Sequence, residues 1–205
     1  MIKGTVILVQ TNSGNFFSEA IKFFTKKIAK KYRVRAWTHA MIGVGSLLEE
    51  DYVFSAEVAQ SIMPLKKFQK GKTKFEVYEI KDNIKEKDLE YLIRSFCGTY
   101  AGNTYGFFQN LWFIYRWLME LFGKDVRKKA NWFPSGDICS EMTFRFLTQR
   151  FSYALQNKNN KNLESVNTAL KHLYEWTENT IHPVDIGYII SKHPEVFSKI
   201  SSWNC

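Results

Sequence analysis

Three residues far apart in the chain could together do acyl chemistry. Cys139 sits in "GDICSE", at the predicted start of a helix. Unpaired backbone N–H groups and the helix dipole favour a thiolate at such a position. His39 sits in "THAMIGVG", ahead of an apolar run that would hold it in a strand. A histidine within hydrogen-bond reach of a thiol can take its proton and return it to a leaving group. Glu57 lies inside the apolar stretch "VFSAEVA", where a carboxylate needs a reason to be. On a strand beside that of His39 it could orient the imidazole through its second nitrogen. Each residue also has a plainer reading. Cys139 could be a buried unreactive thiol, His39 a structural side chain, and Glu57 an edge-strand residue pointing to water.

The elements that would position these residues follow from hydrophobic periodicity. "TVILV" (5–9) reads as a buried strand, followed by an amphipathic helix with Phe17, Ala20, Ile21, Phe24 and Ile28 on one face. Strands follow at 38–45, 52–59 and 74–80, with an acidic turn at "LLEED". From residue 84 the period is helical, with Leu89, Leu92, Ile93, Phe96 and Tyr100 in line. "GTYAGNTYG" (98–106) breaks that helix. The segment 107–123 is apolar and aromatic except for Asn110 and a stripe of Gln109, Arg116 and Glu120. It is either sandwiched in the core or set against something greasy. A basic loop leads to the Cys139 helix, which Asp137 could cap. Pro183 and Asp185 in "HPVDIGYII" look like a turn or helix start. The order implies an α+β domain, with helices beside a mostly antiparallel sheet. We expect a single domain over 1–205, with a helical insertion at about 107–135 and an Asn/Lys-rich surface loop at about 156–165.

Composition limits the function classes. The 205 residues are 45% hydrophobic, so a real core forms and disorder is excluded. The formal charge of +9 favours an anionic partner such as a membrane surface or a cell-wall polymer. Lys26, Lys27, Lys30 and Lys31 lie in a run of basic residues without an acid, the natural contact for such a surface or simply a solvated face. Nucleic acid is disfavoured, because the aromatics among these lysines fall at helical spacing and point inward. Three cysteines, Cys97, Cys139 and Cys205, make no disulfide framework. Cys97, at an apolar helical position, reads as buried. The histidines share no metal-ligand spacing with the cysteines, so neither a metal nor a cofactor is expected. No signal peptide and no transmembrane segment are visible, which makes a cytoplasmic location the default, and a periplasmic or surface-associated one the alternative if a signal has been trimmed away.

The motifs, taken in order, resemble the NlpC/P60 superfamily in its circularly permuted papain-like branch of YiiX/YebB-like proteins. "GTVILV", the Thr38-His39 step, "SAE" at 55–57 and "CSE" at 139–141 carry the resemblance. Ser18, Ile21 and Thr25 also match that branch's N-terminal helix, and "GNTYG" resembles its Gly-x-x-Tyr-Asp segment. The resemblance covers roughly 3–148, with a looser echo at "HPVDI". It implies a papain-like fold with Cys139 as nucleophile, His39 as base and Glu57 as third member. Thr38, Tyr105, Ser140 and Glu141 would line the cleft. Two departures stand out: Thr38 replaces the usual serine, and Gly106 the usual aspartate.

The implied activity is thiol-dependent hydrolysis of an amide or peptide bond, with murein peptides among the substrates the family allows. The Cys139 N–H would be the oxyanion donor. A lipid acyltransferase or lipase on the same residues would need an apolar groove from Cys139 to Trp112 and Trp117. A non-catalytic module that grips an anionic surface would leave Cys139 unreactive.

Overall fold

The computed structural model describes residues 2–11, 16–57, 59–69, 73–104, 106, 109–127, 129, 138–156, 161–176 and 178–204. Its elements run β1 (Val6–Gln10), α1 (Phe16–Tyr32), β2 (His39–Leu47), β3 (Glu50–Ala56), β4 (Gln60–Pro64), β5 (Lys74–Ile80), α2 (Glu86–Tyr100), α3 (Gln109–Leu121), α4 (Cys139–Gln156), α5 (Leu163–Leu173), α6 (Pro183–Lys192) and β6 (Phe197–Asn204). One six-stranded sheet has the order β4-β3-β2-β1-β5-β6. Every pairing is antiparallel. The architecture is therefore mixed α+β, with an antiparallel sheet packed against helices.

Alternation along the strands sorts the core onto two faces. Ala40 and Ile42 of β2 join Val6, Leu8, Phe54 and Ala56 on the face covered by α2, α4, α5 and α6. Met41 joins Ile7, Val9, Val53 and Val77 on the other face, under the short 3-10 turn Leu65–Phe68. The sheet is apolar on both sides, which is why β1 reads as a continuous run rather than an alternating one.

One expectation changes. The strand expected over 52–59 ends at Ala56, because the chain turns back as β4. The next helix ends at Tyr100, inside the "GTYAGNTYG" break. The segment after 190 is part of the central sheet, since β6 pairs with β5 along its length and Trp203 stacks on Phe75 at 5.2 Å. The "LLEED" turn is a two-residue hairpin, with Leu48 and Glu49 both at positive φ. Within 156–165, α4 extends to Gln156 and α5 begins at Leu163. Residues 157–160, Asp137 and most of the basic loop lie outside the described residues.

Two residues of the α3 stripe, Arg116 and Glu120, face inward, and the side chain of Gln109 lies outside the described residues. Arg116 is fully buried. Nη1 and Nη2 donate to the Asp185 carboxylate, Nε donates to Glu120, and further bonds reach Thr180 O and Tyr32 Oη. On α4, Arg150 does similar work. It holds Asp82, Gly4 O and Ile80 O, and so ties α4 to the ends of β1 and β5. His182 caps α6 by accepting from Val184 N–H, Asp185 accepts from His182 N–H, and Pro183 takes the first helical position. The start expected at Pro183 and Asp185 is therefore a capped helix.

One glycine is forced by contact. A Cβ on Gly43 would lie 1.8 Å from Ile2 O, and that oxygen belongs to backbone. Gly43 also bonds Gly4 N–H and Thr5 O across to the N-terminal segment. Gly43→Ala is expected to destabilise the fold at the top of the overpacking range, about 3 kcal/mol. Urea unfolding of that variant against wild type checks this.

Candidate active site

Cys139 is the first residue of α4 and packs among Ile42, Phe54, Ala56 and Met142 on the helix-covered face of the sheet. The backbone N–H groups of Ala40, Ser140 and Cys139 itself lie close enough to its sulfur to favour the thiolate. Burial pushes the thiol up to about 12, and those three N–H groups pull back against it. The helix start that the sequence pointed to is present. The electropositive, exposed setting of an activated thiolate is not.

His39 is the first residue of β2 and half-buried. Its Nε2 and the hydroxyl of Ser55 share a hydrogen bond of 2.7 Å. Its ring stacks on Phe68 at 5.5 Å. Burial lowers its pKa to about 4, opposed by the Glu57 carboxylate. At neutral pH the imidazole is uncharged.

Cys139 and His39 meet at β2 without bonding each other. The sulfur lies against Ala40 N–H, one residue beyond His39. The His39 ring lies on the Met41 side, against Phe68, while the sulfur packs on the Ile42 side. Among the described residues no hydrogen bond joins them.

Glu57 stands one residue past β3, half-exposed, and binds Lys67 at 2.8 Å. The residue on the His39 ring is Ser55. It lies on the same strand face two positions earlier, and it is fully buried. The period of two along "SAE" puts Ser55 and Glu57 on one face, and Ser55 is the one that reaches the ring.

The residues expected to line a cleft have other duties. Ser140 is buried and donates to Ile181 O at 2.6 Å. Glu141 is buried and accepts from Ile138 N–H at 3.1 Å, so it caps the Cys139 helix. Thr38 accepts from Thr11 N–H and donates to Val9 O, fastening the mouth of the β1–β2 pair. Tyr105 lies outside the described residues. Trp112 is fully buried against Ile138, the residue before Cys139, and Tyr115. The side chain of Trp117 lies outside the described residues. Lys26, Lys27, Lys30 and Lys31 are exposed on α1, and Lys31 pairs with Glu120.

Cys97 is buried with its thiol pushed up to about 11, as its apolar position implied. A second titratable group lies near the end of the chain. His172 Nδ1 and His193 Nε2 are 2.9 Å apart, and His193 Nδ1 is 3.0 Å from Glu195. Among the described residues no group of His, Cys, Asp and Glu side chains could hold a metal ion, and no helix is long and apolar enough to cross a membrane. Comparison of the sequence with protein-family models and with curated proteins finds no match.

Proposed function

We propose that the chain is a thiol-dependent hydrolase of an amide or peptide bond, of the permuted NlpC/P60 kind, with Cys139 as nucleophile and His39 as base. The observation that carries this reading is the anchoring of His39. Ser55 holds Nε2, while Nδ1 carries no hydrogen bond among the described residues, next to the strand position whose N–H lies close to the Cys139 sulfur. Nδ1 is then the nitrogen that takes the thiol proton. With a neutral thiol and a neutral imidazole at rest, proton transfer accompanies attack. Sulfur bonds to the acyl carbon, and the proton passes to His39. Collapse expels the amine with that proton and leaves a thioester, which water hydrolyses. The N–H groups of Cys139 and Ser140 at the helix start are the donors for the oxyanion.

A peptide or amide substrate is favoured over a lipid chain because Trp112, which would line the apolar groove a lipid needs, is fully buried against Ile138 and Tyr115. The exposed lysines of α1 would hold an anionic wall polymer or membrane surface near the site. The separation of the two side chains favours a second reading, a non-catalytic module on the same scaffold.

Cys139 is expected to react slowly with iodoacetamide in the native state at neutral pH, its rate still rising well above the ordinary thiol range near about 8.5. A peptidyl electrophile that occupies the cleft should label Cys139 far faster, and His39→Ala should abolish that acceleration. Mass mapping reads both. Equal slow labelling by both reagents, unaffected by His39→Ala, would reject the enzyme and favour the non-catalytic module.

A further inference from the structure

A groove of about 480 Å³ runs between α2 and α4, with Tyr174 also in its lining. That volume is in the range of small-ligand sites. It lies well away from Cys139. Gln149, on its floor, is ten residues further along α4, roughly 15 Å at the helical rise.

The groove's chemistry is unusual for this protein. Charged residues make up 24% of the chain, yet none lines the groove. The α4 wall presents Thr148, Gln149, Ser152, Tyr153 and Gln156. A solvent-facing helix surface normally carries charges. Here the ion within that stretch, Arg150, is turned inward onto Asp82. Ser, Thr and Tyr are also poorer helix formers than Lys or Glu at exposed positions, so helix stability does not account for the choice. Across the groove α2 contributes Tyr91, Leu92 and Ser95, while its Glu86, Lys87 and Arg94 lie outside the lining.

Three tyrosines stand open to solvent at its edges: Tyr91 is 72% exposed, Tyr174 54% and Tyr153 37%. An exposed tyrosine offers a flat apolar face and a polar tip. Some of the polar floor is already engaged, since Thr148 donates to Arg145 O and Gln149 Nε2 donates to Tyr100 Oη. Ser95, Ser152 and Gln156 add neutral donors and acceptors. Flat rings beside uncharged hydroxyl and amide groups match a ligand with apolar C–H faces, many hydroxyls and no charge. We propose that this groove binds a neutral glycan, the tyrosines stacking on sugar rings and the serine and glutamine side chains bonding its hydroxyls.

The proposal is independent of the thiol reading. Maltotriose, cellotriose and chitotriose, titrated into the full chain by calorimetry and by amide NMR, test it. At least one is expected to bind and to shift signals from α2 and from the second half of α4. Tyr91→Ala and Tyr174→Ala should each weaken that binding about tenfold. Because both side chains are largely exposed, the melting temperature should stay unchanged. Cys139→Ala should bind as wild type does, which separates this site from the thiol. Failure of all the sugars to bind, or binding that survives both tyrosine substitutions, overturns the proposal. So does a change of oligomeric state in Tyr91→Ala, which would make the groove a contact between copies of the chain.

Discussion

Asp185→Asn is expected to cost about 3–5 kcal/mol of folding stability, the range for removing one partner of a buried ion pair. Arg116 and Asp185 are both fully buried. The carboxylate receives two guanidinium nitrogens and also the His182 N–H that opens α6. Asparagine can replace one acceptor oxygen but leaves a cation out of water with less compensation. Glu120, 8% exposed, remains on Nε and limits the damage. The bonds to Thr180 O and Tyr32 Oη carry no charge. The network joins α1, α3 and α6, so its failure should loosen α3 from the body. The double variant Arg116→Met with Asp185→Leu should recover most of the loss, because an apolar pair of similar volume often matches a buried ion pair. Urea unfolding of the single and double variants decides. A cost below about 1 kcal/mol for Asp185→Asn would mean the pair is solvated like a surface bridge.

That network shows where sequence reasoning stops. Arg116 was visible as part of a polar stripe on an aromatic helix, which left the direction of the stripe open. Its partner lies 69 residues away, and no local pattern links them. The strands β1, β2, β3 and β5 were legible because their faces are buried and their residues apolar. β6 was not. In "FSKISSWN" only Phe197 is buried, and Ile200 is 47% exposed. An edge strand with one weak face carries no alternation to read. β4 is a five-residue strand at the other edge and ends on a proline. At the candidate site the sequence placed Cys139 at a helix start and His39 at a strand start. For the partner of the histidine it pointed to Glu57, and Ser55 holds the ring instead. Both lie on one face, and side-chain rotation rather than spacing decides which one reaches the ring. It also could not foresee that Ser140 and Glu141 are consumed in fixing α4, because their partners Ile181 O and Ile138 N–H depend on how that helix docks.

Acid should unfold this protein largely through one buried histidine. His182 is 3% exposed. Its Nδ1 accepts from Val184 N–H at 3.1 Å, so the proton sits on Nε2, which faces Thr25 Oγ1 at 3.4 Å. Protonation of Nδ1 would remove the cap of α6 and place a second cation beside Arg116. Burial first, and then the Arg116 charge, lower its pKa to about 3. The sign follows from linkage. The unfolded chain, with histidine near about 6.5, takes up the proton before the folded one does. The stabilisation is therefore complete above about pH 6.5 and lost as the pH falls towards about 3, where it amounts to on the order of 4 kcal/mol. By about pH 4.5 roughly half of it, or slightly more, should be gone. His39, lowered to about 4, adds a smaller loss in the same direction, discounted because its ring is only half-buried. Asp125 acts lower still. It is held down to about 2 by Arg127, so its contribution is lost only below the ordinary carboxylate range. His182→Asn keeps a capping acceptor and removes the titration. Its urea midpoint should vary less with pH than that of wild type between about pH 6.5 and 4.5, and His39→Asn should remove part of the remainder. If His182→Asn and wild type lose stability in parallel over that window, the imidazole is not the acid-sensitive group.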